Sequence, residues 1–124
     1  MNIVIITGGS RGIGKALVEN FITKEYCVYA LSRNPISLKN LIHIPIDLSN
    51  PNVNLEEIFK NMSFENATSL TLLNNAGRLG IIGSIETLEI QDIKATIQLN
   101  SVAPVLLSSL FIKYTAHLGC KKIL

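Results

Sequence analysis

Short apolar runs alternate along the chain with segments in which apolar residues recur every three or four positions. The runs have the composition of strands buried on both faces of a sheet. They occupy residues 3–7, 27–31, 41–46, 69–73 and 121–124, the last as the start of a fifth strand. Helical spacing predicts helices that begin near Ile13, Leu55 and Ile90. Strands that alternate with helices predict an α/β fold, a parallel sheet with helices on both faces.

Local signals refine these elements. Pro45 lies inside the third apolar run and favours an edge position for that strand. Asn54 is the predicted N-cap of the second helix. The glycine-containing residues 78–86 are predicted to form a loop, and Thr87 is expected to cap the helix that follows. Pro104 interrupts the long third helix and predicts a kink or a close helix–helix approach there.

Composition excludes several classes of protein. With 124 residues, 48% of them hydrophobic and 16% charged, the chain is expected to form one packed domain. A net charge of +2 gives no reason to expect nucleic acid or membrane lipid as a partner. The N-terminus lacks signal-peptide features, and the apolar stretch at residues 102–112 is shorter than the roughly 18 residues of a membrane span. Cys27 and Cys120 lack metal-ligand spacing, so we expect no metal and two reduced, buried thiols in a cytoplasmic protein.

The turn TGGSRGIG, residues 7–14, joins the first strand to the first helix. Gly8 permits a tight turn with positive φ, Gly12 permits close approach of a diphosphate, and Gly14 permits close packing of the helix on the sheet. The N–H groups near Gly12 and Ile13 then face the anion at the positive end of the helix dipole. No Gly-Lys-Ser/Thr follows, which excludes a P-loop. The alternative is a glycine-rich turn with no ligand.

The end of the second strand indicates which dinucleotide is bound. An NAD site usually has Asp or Glu there, to accept a hydrogen bond from the ribose 2′-hydroxyl. This chain has Ser32 and Arg33 instead, and a guanidinium suits the 2′-phosphate of NADP. Arg11 is expected to approach the same phosphate from the other side. The alternative is that both arginines are ordinary solvated charges.

Polar residues occur at three further places. Two of them follow strands, and the third lies in an apolar helix stripe. Asp47 follows the third strand, at the edge where open α/β sheets bind ligands; the alternative is a turn or cap aspartate. Asn74 and Asn75, with Gly77, follow the fourth strand and are also typical of a turn. Asn100 interrupts an apolar helix stripe and needs polar partners; the alternative is a core or kink asparagine.

With TGGSRGIG, Asp47-Leu48, the sequence NNAG at residues 74–77 and Asn100 in this order, the chain resembles the short-chain dehydrogenase/reductases. These motifs span almost the whole chain. The segments NNAGRLG and NSVAPVLLSS look most like the sepiapterin- and benzil-reductase branch. The resemblance implies a Rossmann-like, doubly wound parallel sheet, here with strands 1–4 and the start of strand 5.

The resemblance also implies roles for individual residues. Asp47 would contact the adenine amino group, with the Leu48 backbone nearby, and Asn100 would act in proton relay as the catalytic residue of this chain. The complete set of expected NADP-binding residues is Gly8, Ser10, Arg11, Gly12, Ile13, Gly14, Ser32, Arg33, Asp47, Leu48, Asn75, Ala76 and Gly77. Members of the family commonly pair through the helix that carries Asn100, which implies a homo-oligomer.

The catalytic base of the family, the tyrosine of a Tyr-x-x-x-Lys motif, has no counterpart here. The residues four positions after Tyr26, Tyr29 and Tyr114 are Ala30, Arg33 and Leu118. Tyr114 is therefore expected to pack rather than to catalyse. We expect residues 1–124 to be a single dinucleotide-binding domain that ends before the Tyr/Lys segment and is inactive alone. We also expect an unpaired apolar edge on the fourth strand and an unburied face on the long helix.

Three functions are compatible with these features. The first is the cofactor-binding part of an NADP-dependent short-chain oxidoreductase that transfers hydride between NADPH and a small-molecule ketone or aldehyde. The second is a non-catalytic dinucleotide-binding or self-associating module. The third is a structural α/β domain with no cofactor.

Overall fold

Five parallel strands form one sheet in the order β3-β2-β1-β4-β5, and the computed structural model describes all residues from 1 to 124. The strands are β1 (Asn2–Thr7), β2 (Cys27–Ser32), β3 (Leu41–Pro45), β4 (Ser69–Leu73) and β5 (Lys121–Ile123). The helices are α1 (Gly12–Thr23), α2 (Leu55–Asn61), α3 (Ile90–Ile97) and α4 (Ala103–Tyr114). A 3₁₀ turn at Ile85–Thr87 precedes α3, and a π-helical turn at Gln98–Val102 joins α3 to α4 in one long helix.

Helices cover both faces of the sheet, as the alternation of patterns predicts. Along β1, Val4 and Ile6 belong to a core with Val18 of α1. Ile3 and Ile5 belong to a larger core on the opposite face, together with residues of α2 and α4. Since successive side chains of a strand point to opposite faces, one continuous apolar run supplies both cores. The Rossmann-like fold class is thus confirmed.

Two of the local predictions, for Pro45 and Asn54, are confirmed, and the one for Thr87 is wrong. β3 with Pro45 is an edge strand, and the Asn54 side chain accepts a hydrogen bond from the Glu57 N–H at 3.1 Å, both as predicted. The predicted cap at Thr87 is wrong. Thr87 lies in the 3₁₀ turn, where its hydroxyl donates to the Ser84 carbonyl, and α3 begins only at Ile90.

The expectation of an unpaired β4 edge is also wrong. β5 pairs with β4 in parallel register, and the Leu124 N–H donates to the Leu72 carbonyl at 2.9 Å. Only six residues separate Tyr114, the last residue of α4, from Lys121, the first of β5, and β5 covers the edge of β4. The long helix does have an unburied face, where Ile97, Val105 and Ile112 are exposed.

Two expectations about composition need correction. The continuous helix Ile90–Tyr114 is long and apolar enough to cross a membrane by length and composition alone, although its apolar stretch at residues 102–112 is shorter than a span. Its residues Leu107 and Phe111 are buried against the sheet, as in a helix of the fold. Both cysteines are free, but Cys120 is exposed. Cys27 is half-buried, and burial raises the pKa of its thiol.

Candidate cofactor site

A cavity of about 560 Å³ opens at the carboxyl ends of β1 to β4. All thirteen residues predicted to bind NADP line this cavity, together with Leu31, Asn34, Ile46, Ser49, Arg78 and Leu99. Asn100 lies outside it and lines an adjoining surface pocket with residues 76–79. The fold therefore brings the glycine turn, the ends of β2 and β3, and the turn after β4 to one place, beside the sheet position where the crossovers from β1 diverge.

The three glycines of the turn have different surroundings. Gly8 and Gly12 have φ of 69° and 56°, a backbone conformation that favours glycine. A Cβ on Gly12 would have no atom within 4 Å, so this part of the turn faces open space. A Cβ on Gly14 would lie 2.0 Å from the Gly8 carbonyl oxygen. Gly14 is thus required for packing of α1 against the turn itself, rather than against the sheet as expected.

The start of α1 presents unbonded N–H groups to the cavity. Arg11 precedes the helix and its side chain makes no capping hydrogen bond. The first backbone bond runs from the Lys15 N–H to the Arg11 carbonyl, so the N–H groups of Gly12, Ile13 and Gly14 have no acceptor in the protein. Such groups, at the positive end of a helix dipole, suit an anion. This cradle fits a diphosphate.

Asn75 connects the end of β4 to the glycine turn. Its side-chain N–H₂ group donates to the carbonyl oxygens of Thr7 at 3.0 Å and Gly8 at 3.2 Å. The Ala76 N–H donates to the Thr7 hydroxyl at 2.9 Å. The turn after β4 therefore stabilises the glycine turn of residues 7–14 as well as lining the cavity.

Two positive charges line the cavity without a partner, one before α1 and one after β2. Arg11 and Arg33 are exposed and form no ion pair or hydrogen bond with the rest of the protein. Ser32, by contrast, is buried, and its hydroxyl donates to the Asn34 carbonyl at 2.9 Å. The Ser32 hydroxyl is thus hydrogen-bonded to the local backbone, while both arginine side chains are available to a ligand.

Asp47 supplies the one carboxylate in the lining of the cavity. One of its oxygens accepts from the Ser49 N–H at 3.0 Å and from the Ser49 hydroxyl at 2.6 Å. The Ser49 hydroxyl, aided by the charge of Arg33, lowers the pKa of Asp47. Asp47 therefore has the turn role considered as its alternative, and its second oxygen remains free for a ligand.

Asn100 lies in the π-helical turn and is paired with the backbone of Arg78. Its side-chain oxygen accepts from the Arg78 N–H at 2.9 Å, and its N–H₂ group donates to the Arg78 carbonyl at 2.7 Å. Pro104, four residues later, has no N–H to bond the Asn100 carbonyl in the usual helical pattern. This polar residue in the apolar stripe thus finds its partners in the turn after β4.

Asp92 is a residue that the sequence analysis missed. Its carboxylate accepts from the Ile81 N–H at 2.8 Å and pairs with the Arg78 guanidinium, and its side chain is only 11% exposed. Asp92 therefore fastens the loop after β4 to the first turn of α3. An acidic residue in the first turn of a helix, directly after a glycine-containing loop, is a signal that could have identified it.

Tyr114 is engaged in packing, as predicted. Its hydroxyl donates to Glu56 of α2 at 2.8 Å, and its ring lies 6.1 Å from that of Phe59 between centroids. Burial and the neighbouring Glu56 carboxylate raise its pKa. A catalytic base needs the opposite shift, so the position suits a structural tie between α2 and α4.

An anion cradle at the start of α1, beside the crossover point of a parallel sheet, defines a dinucleotide-binding α/β protein. A family model described as short chain dehydrogenase matches residues 2–119. The chain therefore belongs to the short-chain dehydrogenase/reductase family of oxidoreductases, whose members use a nicotinamide dinucleotide.

Several relatives share this fold and sequence pattern. A benzil reductase ((S)-benzoin forming) of Bacillus subtilis is 36% identical over 131 aligned positions, which cover 98% of this chain and 52% of the relative. A benzil reductase of Bacillus cereus is 32% identical, over 93% of this chain and 51% of its own length. The structure of 4-hydroxyisoleucine dehydrogenase complexed with NADH is 31% identical, with a TM-score of 0.83 over 99% of this chain and 55% of the other. The chain thus spans about half the length of the curated relatives it matches.

Proposed function

We propose that this chain forms the cofactor-binding part of an NADPH-dependent carbonyl reductase, which transfers hydride between NADPH and a ketone or aldehyde. The observation that carries the proposal is the pair of unpartnered guanidinium groups, Arg11 and Arg33, beside three unbonded N–H groups at the start of α1. NADPH differs from NADH by one phosphate, and this side of the cavity has positive charge to receive it.

The N–H groups of Gly12, Ile13 and Gly14 would hold the diphosphate, since they lack any other acceptor. Arg33 would then bind the 2′-phosphate through two parallel N–H donors, and Arg11 would face it from the glycine turn. Asp47 would accept from the adenine amino group through its free oxygen. A nicotinamide dinucleotide, when bound, supplies the hydride.

The NADH-bound relative makes NAD the competing cofactor. An NAD site needs a hydrogen-bond acceptor for the 2′-hydroxyl at the end of β2. The Ser32 hydroxyl is buried, donates to Asn34 and lies 3.0 Å from His43 Nε2, and Arg33 offers only donors. These two residues favour NADPH.

Asn100 would contribute to proton transfer through its main-chain carbonyl, because its side chain is held at Arg78. A carbonyl oxygen has two lone pairs and Pro104 offers no N–H to this one, so at least one lone pair would be left to accept from water. We also propose that the exposed face of the long helix, which includes Ile97, Val105 and Ile112, mediates self-association of the protein.

The test is a calorimetric titration of the full-length protein with NADPH and with NADH, followed by a turnover assay with benzil, the substrate named for two relatives. We expect NADPH to bind at least about tenfold more tightly, the equivalent of one charged hydrogen bond. Oxidation of NADPH that depends on benzil supports a reductase. Binding of NADPH without turnover of any ketone or aldehyde supports the non-catalytic module, and tighter binding of NADH contradicts the cofactor assignment.

A further inference from the structure

His43 lies on the edge strand β3 and contacts Ser32 at the end of β2. The two strands are in register with Ala30 opposite His43 and Ser32 opposite Pro45, so the imidazole reaches diagonally towards the cavity edge of the sheet. Its Nε2 atom lies 3.0 Å from the Ser32 hydroxyl oxygen and 3.2 Å from the Ser32 carbonyl oxygen. His43 itself does not line the cavity.

The direction of these hydrogen bonds follows from the acceptors. The Asn34 carbonyl can only accept, so the Ser32 hydroxyl donates its one proton to it, at 2.9 Å. The Ser32 oxygen must then accept from His43, and Nε2 carries a hydrogen. The Ser32 carbonyl accepts twice, from His43 and from the Ile46 N–H at 3.1 Å. The hydrogen bonds from His43 to Ser32 and from Ser32 to the Asn34 carbonyl thus form a relay, in which each bond has a donor and an acceptor.

Arg33 lies between the two residues that the relay holds. Ser32 is anchored on its N-terminal side and the Asn34 carbonyl on its C-terminal side, while the guanidinium has no partner in the protein. The backbone at Arg33 is thus fixed and its side chain is free to bind a ligand. A binding group that is positioned in advance loses less conformational freedom on binding, which strengthens the interaction.

We propose that His43 is a positioning residue for cofactor selectivity: through Ser32 and Asn34 it holds the turn that presents Arg33 to the 2′-phosphate of NADPH. The inference rests on the proposed NADPH function. It goes beyond that function by assigning part of the selectivity to a residue that touches no part of the cofactor.

The experiment compares two variants. His43→Leu replaces the imidazole with an apolar side chain of similar bulk, and His43→Gln has an amide that can still donate to Ser32. Ile42→Ala, an exposed position on the same strand, controls for general loosening of the edge. NADPH and NADH are titrated into each full-length variant. We expect His43→Leu to weaken NADPH binding about five- to tenfold, the worth of a hydrogen bond, and to change NADH binding less than about twofold. His43→Gln should restore most of the preference, and Ile42→Ala should leave it unchanged.

Equal weakening of both cofactors in His43→Leu, or failure of His43→Gln to restore selectivity, overturns the inference. If His43→Leu does not fold, His43→Ala decides, because it removes the same donor to Ser32 and should cause the same selective loss. A wild-type protein that prefers NADH contradicts the proposed function itself. A wild type that prefers NADPH, with an unchanged preference in His43→Leu or His43→Ala, refutes only the role of His43.

Discussion

A Cβ atom on Gly14 would lie 2.5 Å from the side-chain nitrogen of Asn75. That nitrogen is already fixed by its hydrogen bonds to the Thr7 and Gly8 carbonyl oxygens. The first turn of α1, the glycine turn and the residues after β4 therefore meet so closely that there is no room for one extra methyl group. The shape of the anion cradle depends on this contact.

We predict that Gly14→Ala and Gly12→Ala have different effects. The methyl group at position 14 meets fixed backbone, so the free energy of unfolding should fall by about 3 kcal/mol. At position 12 there is open space, and the positive φ alone should cost about 1–2 kcal/mol, but the methyl group would intrude where we propose that the diphosphate binds. Urea unfolding and cofactor titration separate the two effects. Equal losses of stability would contradict the packing described for Gly14.

Arg33→Ala is predicted to weaken NADPH binding by about 1.5–3 kcal/mol, or roughly ten- to a hundredfold, because a charged hydrogen bond to the 2′-phosphate is lost. NADH binding should hardly change. Lys39→Ala removes a nearby exposed positive charge that does not line the cavity and is the matched control. Similar losses for both cofactors in Arg33→Ala would show that the arginine does not recognise the 2′-phosphate.

The fold could be predicted from the sequence because the strong patterns are local. The bounds of β4, Ser69–Leu73, match the predicted run of residues 69–73, and Asn54 caps α2 as expected. The glycine turn was equally informative, since the positive φ of Gly8 and Gly12 favours glycine. Each of these features is determined by residues close together in the chain.

The features that the sequence did not predict depend on contacts between distant segments. The pairing of β5 with β4 joins residues about fifty positions apart, so no local pattern indicates it. Asp92 and Arg78 are 14 positions apart, and His43 and Ser32 are 11 apart on different strands, so the partner of each side chain could not be read from its own segment. Thr87 is a residue type that often caps helices, but its hydroxyl donates to the Ser84 carbonyl in the 3₁₀ turn instead.

Asp92→Ala is predicted to destabilise the protein by about 1.5–3 kcal/mol, because it removes a charged acceptor from the Ile81 N–H and from the Arg78 guanidinium. Asp92→Asn should lose less, since its amide oxygen can still accept one of these bonds. Glu86→Ala, an exposed acidic residue of the same loop, is the control and should be nearly neutral. Urea unfolding measures all three, and an Asp92→Ala protein as stable as the Glu86→Ala protein would contradict the role of this contact.

Asp47 is predicted to make stability depend on pH in the acidic range. The Ser49 hydroxyl and the charge of Arg33 hold the pKa of Asp47 below its ordinary value of 3.8. A carboxyl group with a lowered pKa in the folded state stabilises the protein above its unfolded pKa and loses this contribution as the pH falls through the folded pKa. Since the carboxylate is largely exposed, the contribution should be less than about 1 kcal/mol.

The difference in unfolding free energy between the wild type and Asp47→Asn should therefore be constant from about pH 5 to 7 and shrink at lower pH. Ser49→Ala removes the main cause of the shift and should lose most of the same pH-dependent stability. Ser37→Ala removes an exposed hydroxyl that forms no hydrogen bond and should follow the wild type. A difference that grows as the pH falls would have the wrong sign for a lowered pKa and would exclude Ser49 as a stabilising partner of the Asp47 carboxylate.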